Sequence, residues 1–481
     1  MHSSLPIRPR RDRRVPESFV LLAAFTLMLA VSIATAQSAP SQSATPPTGE
    51  MHEPAYVQFG FETRVRTEDW NNVLDLSDSN DDERRQMRFR TRSWLSLTSK
   101  AVDLNVGLVN EFYTKFALKP ADHEAYRFNM DEVVFDNLNL TLKKLPVRGL
   151  SVTVGRQSLQ RGEGFSLFDG TAGDGSRTAY FNAVNLSYQR NHTMYEILGI
   201  LNPKVDRFLS IIHDQHKRLQ DWDEQAVGLY YTNREHNRLD IDSYYFYKKE
   251  INDWRSPADV QFQPNRHLHT VGTRVVKRLD HGYSLTGEFA GQWGRQHANP
   301  VQNDPAADIR AWGGYLYAKK AFPVSWKPYI VSGYWAMSGD DPSNTKTLTG
   351  FDPIFSRWPK LSELVIYSLV AERGVAYWSN LHALQFQAGI SPTKALNLRA
   401  SFFEQQAFHP WTKNPTTFGS GTHRGENYQL RADYTFNDRW KCHVLYENFV
   451  PGDYFRHTDD SFFVQAQVVY QFTSKFHLRR H

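Results

Sequence analysis

The chain has a single cysteine, Cys442, so no disulfide can form within it. Beyond residue 54 it has no apolar run long enough to cross a bilayer as a helix, which excludes a helical membrane protein. An excess of one charge is also missing. Lys and Arg number 56 against 51 Asp and Glu. The net +5 falls to about +2 once residues 1–36 are set aside, where five Arg meet Asp12 and Glu17. Nucleic-acid binders are dominated by basic patches, so no nucleic acid is expected as a partner. An ordered fold must then rest on a hydrogen-bonded sheet or a large core.

What is present begins with a targeting segment. Arg8, Arg10, Arg11, Arg13 and Arg14 precede an apolar run from Phe19 to Ile33, and Ala34-Thr35-Ala36 supplies small residues for cleavage. Residues 1–36 read as a secretory signal peptide cut before Gln37. No cysteine follows the cut, which argues against a lipoprotein. Residues 37–54, rich in Ser, Pro, Thr and Ala, read as a flexible periplasmic leader. Residues 55–481 remain as one unit.

That unit alternates apolar and polar residues in a long series of strand-length segments. The first six are Tyr56–Arg66, Met87–Ser99, Val102–Tyr113, Asp131–Lys143, Leu150–Ser158 and Arg177–Gln189. Next come Thr193–Leu201, Gln225–Asn233, Arg238–Lys249, His267–Arg278, Tyr283–Gln296 and Asp308–Ala321. The last are Trp326–Ser338, Trp378–Ile390, Ala395–Ala407, Glu426–Asn437, Trp440–Val450 and Ser461–Phe472. Every second connection is a tight turn, such as Lys100-Ala101 or Asp438-Arg439, and those between are long, up to Gly339–Tyr377. Short turns alternating with long loops mark an all-β, transmembrane antiparallel barrel of about 18 strands, with periplasmic turns and extracellular loops. The expected location is the outer membrane of a Gram-negative bacterium, with membrane lipid as one partner. Aromatic content of 14% suits interfacial girdles. Phe476 keeps the outward parity of the last strand, so that strand is expected to run into the tail.

Parity also sorts side chains between lipid and lumen. With Phe59, Phe61, Thr63 and Val65 outward, Glu62, Arg64 and Arg66 turn inward. Met87 and Phe89 outward put Arg88, Arg90 and Arg92 inside. The same reasoning places Arg274, Arg399, Arg431 and Asp433 in the lumen, with Glu111 and Glu447 as further lining residues. Arg156 shares parity with outward Val152 and Val154, so its inward position requires a bulge at the strand end. Arginine in a pore binds carboxylates bidentately and keeps its charge at any pH. The same arginines could instead pair with Glu62, Asp103, Glu111, Glu288, Asp433 and Glu447 simply to fill and stiffen the lumen.

Other features carry less. Trp254, Trp358 and Trp411 suit sugar stacking at an entrance, or loop packing. Gly339–Tyr377 is long enough to fold inward as a constriction, with a short helix over Ser362–Arg373. His213 with His216, and His267 with His269, lack further ligands at fixed spacing, and Asp340–Asn344 lacks the twelve-residue calcium-loop pattern. No metal and no cofactor are expected.

Three passages bear a family likeness. They are Gly155-Arg156-Gln157 before the loop Arg161–Ser176, Phe351-Asp352-Pro353-Ile354-Phe355, and the pair Gly425–Leu430 and Pro451–Phe455. Through them the chain resembles the alginate export family of outer-membrane barrels, although Gln429 stands where that family usually has an acid. The resemblance implies an 18-stranded barrel whose cationic pore passes an anionic polysaccharide, supplied by periplasmic secretion components. A general or small-anion diffusion porin shares the fold and is the alternative. A barrel-borne hydrolase would need a Ser and His in reach, and no G-x-S-x-G elbow is present, so no enzyme is expected. A TonB-type receptor would need a plug domain that residues 37–54 cannot supply.

Overall fold

The computed structural model describes residues 55–478 except 74, 80–82, 117–132, 169–180, 206–209, 213–222, 235–237, 252–263, 299–304, 345, 357–360, 365–378 and 412–413. Residues 1–54, where a signal peptide and leader are expected, and His213, His216, Trp254 and Trp358 lie outside the described residues.

Strands β1 (Tyr56–Asn71), β2 (Arg84–Thr98), β3 (Val102–Phe116), β4 (Val133–Leu142), β5 (Leu150–Gln157), β6 (Phe181–Arg190) and β7 (Thr193–Asn202) open the wall. After a short loop strand β8 (Ser210–Ile212), β9 (Asp223–Asn233), β10 (Leu239–Ile251), β11 (Arg266–Arg278), β12 (Tyr283–Gln296), β13 (Ala307–Ala321) and β14 (Tyr329–Met337) continue it. A second loop strand, β15 (Thr347–Leu348), precedes β16 (Leu381–Ile390), β17 (Leu396–Gln406), β18 (His423–Thr435), β19 (Trp440–Pro451) and β20 (Ser461–His477). Without β8 and β15, eighteen strands pair antiparallel with their sequence neighbours. β20 closes on β1 from Tyr56↔His477 to Asn71↔Phe462. Closure leaves no edge to recruit another chain.

All eighteen expected strands are present, and their ends moved for local reasons. β14 starts at Tyr329, after Lys327 at φ 45° and Pro328, which has no N–H for a ladder. β16 starts at Leu381, after Asn380 at φ 52°. β1, β2 and β20 run longer than their sequence limits, and Phe476 points outward within β20.

The wall is apolar outside and polar inside. On β9, Val227 and Leu229 point outward while Ala226 and Tyr230 are buried within, and Phe246 from β10 fills the space over Gly228. Large apolar residues such as Phe289, Leu316, Ile330, Leu384, Phe386 and Leu430 face outward. Arg64, Arg66, Glu68, Asp242, Lys248, Glu250, Glu288 and Glu447 are buried inside.

Candidate functional site

Five of the arginines singled out in the sequence stand together on two strands. Arg64 faces Arg90 across the ladder, Arg66 faces Arg88, and Arg92 faces Glu62. Directly opposed like charges repel, and interleaved acids offset this. Arg90 pairs with Glu62 at 2.8 Å, Arg64 with Glu111 at 3.3 Å and Arg66 with Glu68 at 3.4 Å. Arg88 reaches Glu68 at 3.0 Å and Glu111 at 3.5 Å, and Arg92 reaches Asp136 at 2.9 Å. Arg66 also donates to Gln467 Oε1 at 2.6 Å, across the closing seam. Sequence reasoning missed two of these acids. Glu68 lies on the parity of Arg66, just past the expected strand end. Asp136 sits at a bulge, where the β3–β4 register slips beyond Gly107, and a strict period of two cannot place it.

Two long loops enter the barrel from the long-loop end. In the loop after β14, Phe351, Ile354 and Phe355 are buried against the wall and against Phe165 and Leu167 of the loop after β5. Gly313 makes room for Phe351, since a Cβ there would lie 2.8 Å from the ring. A buried polar cluster holds the backbone. Lys248 Nζ donates to Ile354 O at 2.8 Å and pairs with Glu224 at 2.6 Å and Glu250 at 2.7 Å. Arg266 bridges Glu250 and Asp352. Gln292 Nε2 donates to Asp352 O at 2.6 Å. From the other loop, Glu163 pairs with Arg274, which also meets Asp242 at 3.2 Å, while Arg161 donates to Glu196 at 2.7 Å. Glu288 accepts from Tyr244 and Tyr315, each at 2.9 Å.

Below these loops, toward the short turns, lies a cavity of about 520 Å³. Its roof is Glu163 and Leu361–Glu363, and its wall comes from β13 to β19. The roof is docked by Glu447, which is fully buried and accepts from Ser362 Oγ and from Glu363 N at 2.8 Å. Gln429 Nε2 donates to Leu361 O at 2.7 Å, a bond an ionised acid could not make. On the wall, Arg431 binds Asp433 at 2.9 Å and Glu363 at 3.2 Å. Arg399 faces Arg431 in register and lines the same cavity, with no carboxylate in ion-pair reach among the described residues. Lys319 lies 4.4 Å over the Tyr329 ring and likewise has no acid partner among them.

A family model for alginate export matches residues 55–468. The chain belongs to the alginate export family. No curated protein sequence matches it. Among solved structures, the barrel is similar to OccAB1 of Acinetobacter baumannii. That match has 13% identity and a TM-score of 0.55, covering 89% of this chain and 100% of that one. The outer membrane protein OpdK of Pseudomonas aeruginosa matches at 11% identity and TM-score 0.52, covering 86% and 99%. Identities this low speak for the fold alone. Family and fold together make the protein an outer-membrane channel, with short turns on the periplasmic side.

The passages that carry the alginate export likeness occupy structural joints. Gly155, at φ 120°, kinks β5 without a register shift, so the expected bulge there is absent. Beyond the kink Arg156 is buried, donating to Asn182 Oδ1 at 3.0 Å and Phe135 O at 2.9 Å. It joins strands and has these neutral partners. Phe351–Phe355 is the inward-folded loop itself. Tyr454 and Phe455 are buried with Trp411 and Phe418 in a cluster over the barrel rim, so Trp411 packs the loops and has little surface for a sugar. Other expectations resolve locally. Asp103 pairs with Lys143 at 2.6 Å. Ser362–Leu364, the described start of the expected helix, is a non-helical bend, with Ser362 bonded to Glu447 rather than capping. Asp340 accepts from Thr349 N and Gly350 N at 2.7 Å. The Ser343 hydroxyl and N–H hold the Asp341 carboxyl below its ordinary range. Among the described residues no group of three or more His, Cys, Asp or Glu is placed to hold a metal ion.

Proposed function

We propose that the protein passes an anionic polysaccharide, an alginate-like chain with a carboxylate on each sugar, across the outer membrane through this interior. The observation that carries the reading is the pair Lys319 and Arg399, two cations with no acid partner among the described residues, facing one periplasmic cavity. A paired arginine presents little net field, whereas an unpaired one in a low-dielectric wall concentrates anions. The Arg399 guanidinium offers a carboxylate two parallel donors at every pH. Tyr317, Tyr329, Gln385 and Gln387, on the same cavity wall, supply ring faces and amides suited to sugar hydroxyls. Arg64, Arg66, Arg88, Arg90, Arg92 and Arg274 then shape and stiffen the path. Arg431 contributes contact, tempered by Asp433 and Glu363. Periplasmic secretion components would deliver the polymer at the short-turn end.

Passage of small anions is the second reading, and the two loops buried deep in the interior favour it. A related fold, OpdK of Pseudomonas aeruginosa, has been crystallised with vanillate, a small carboxylate; it matches at 9% identity and TM-score 0.52. Single-channel recording of the refolded mature protein separates the two readings. Uronate oligomers of increasing length, added on the short-turn side, should block current with dwell times that grow with length. Equal block by monomers and oligomers would favour the small-anion reading. A pore with no anion preference would overturn both.

A further inference from the structure

The outward face of β10–β13 carries a cluster of basic side chains that transport does not use. One cross-strand row runs Lys249, His267, Arg295, Asp308. The row beneath it, toward the membrane centre, runs Tyr247, His269, Trp293, Arg310. Their chain neighbours Lys248, Arg266, Leu268, Ile309 and Ala311 are buried inside the barrel, so both rows point away from the lumen. Lys249, Arg295 and Arg310 are exposed. The only acid in the rows is Asp308, 3.6 Å from Arg295. Lys249 and Arg310 have no acid partner among the described residues. The imidazoles are set by neighbours. His269 stacks on Trp293 at 5.2 Å and its Nδ1 lies 2.8 Å from Tyr245 Oη, while the His267 ring sits 5.9 Å from that of His297.

Depth fixes what such a patch meets. From Tyr283 near the short turns to Arg295, β12 advances twelve residues. At about 3.4 Å per residue and a tilt of about 40°, that is roughly 31 Å along the barrel axis, against an apolar band of about 25 Å. The basic rows therefore stand at the headgroup level of the leaflet on the long-loop side, directly above outward Val271, Phe289, Trp312 and Leu316. Farther round the same rim the charge differs: on β17 and β18 the outward positions hold Glu404 and Glu426.

We propose that Lys249, His267, Arg295 and Arg310 form a binding site on the outer wall for the phosphate groups of an outer-leaflet lipid. Acyl chains of the same lipid would lie on the apolar wall below, and cations at this depth gain from anionic headgroups. Placement of the barrel in the outer membrane is the only premise shared with the transport reading, so channel selectivity can fail without touching this site.

The test is thermal stabilisation of the full mature protein in detergent by lipid A carrying both phosphates. Dephosphorylated lipid A and inorganic pyrophosphate serve as comparison probes. Wild-type protein should be stabilised by the phosphorylated lipid and much less by the dephosphorylated one. The variant Lys249→Gln/Arg295→Gln/Arg310→Gln should need about a hundredfold more lipid for the same shift, at roughly tenfold or less per charge. Glu404→Gln/Glu426→Gln, elsewhere on the same rim, should behave as wild type. Folding of each variant is checked by heat-modifiable gel mobility, and Arg310→Gln alone, a change at an exposed side chain, gives a second reading at severalfold. Equal stabilisation of wild type and variants, or equal effect of dephosphorylated lipid, would overturn the site. Displacement of the lipid by millimolar pyrophosphate would overturn its assignment to a membrane lipid.

Discussion

The interior faces of β1–β3 and of β13–β18 both crowd basic side chains, and they neutralise them to different degrees. On β1–β3, Arg64, Arg66, Arg88, Arg90 and Arg92 interleave with Glu62, Glu68 and Glu111 and with Asp136 of β4, each guanidinium within 3.5 Å of an acid. On β13–β18, Arg431 is held by Asp433 and Glu363, while Arg399 beside it and Lys319 across the cavity have no acid partner among the described residues. Arginine content alone therefore says little about the potential in a lumen. Pairing decides whether a cation stiffens the wall or acts on a solute.

The largest effect should come from breaking the paired wall. Glu68→Ala strips an acid from Arg66, which is 1% exposed, and from Arg88. Both arginines keep other contacts, so the loss is that of buried hydrogen bonds to a charged group, about 1.5–3 kcal/mol. Arg399→Ala, which breaks no ion pair among the described residues, should cost under about 1 kcal/mol. Urea unfolding of the refolded barrels in lipid vesicles measures both. Equal losses would erase the distinction between the walls.

Selectivity should show the reverse order. Lys319→Glu/Arg399→Glu should lower the anion-to-cation permeability ratio by about tenfold, read from the reversal potential across a salt gradient. Glu62→Gln/Arg90→Gln, which removes the paired charges together, should move it less than about twofold. Both shifts should shrink near 1 M salt, where the Debye length is about 3 Å. A larger effect at Arg90 would move the selective element to the paired wall.

Much of the fold was legible because a barrel wall repeats one rule. Each strand alternates lipid-facing and lumen-facing residues, and each turn is short at one end, so local pattern and global architecture coincide. Legibility failed where the rule is interrupted. The bulge at Asp136 shifts the register, and the kink at Gly155 turns the strand end without shifting it, although a parity conflict at Arg156 marked the place. The site was harder still, because its character depends on contacts distant in sequence. Phe351–Phe355 reads from sequence only as a loop with three large apolar residues around Asp352-Pro353, and the tertiary positions of Lys248, Arg266 and Gln292 explain why it lies inside the barrel. Glu447 looked like a partner for arginine, and it binds Ser362 and the Glu363 amide instead. Arg399 and Arg90 are indistinguishable by parity. Only the neighbours across the ladder separate a charge with an acid from one without.

Arg431 sits between the two cases and gives the finest test. Asp433, two residues along the same strand face, accepts from Arg431 Nε at 2.9 and 3.1 Å. Glu363 of the inward loop lies at 3.2 Å from the same guanidinium. Asp433 is 40% exposed, so solvent screens the pair and its loss should cost no more than about 1 kcal/mol. Asp433→Asn keeps the shape but removes one negative charge beside two arginines in register. The cavity then gains a net positive charge without a new side chain, and anion preference should rise by about twofold at low salt. No change would mean that Glu363 alone offsets the charge of Arg431. In that case the loop that roofs the cavity, rather than the strand that lines it, controls how much of the second wall an anion can feel.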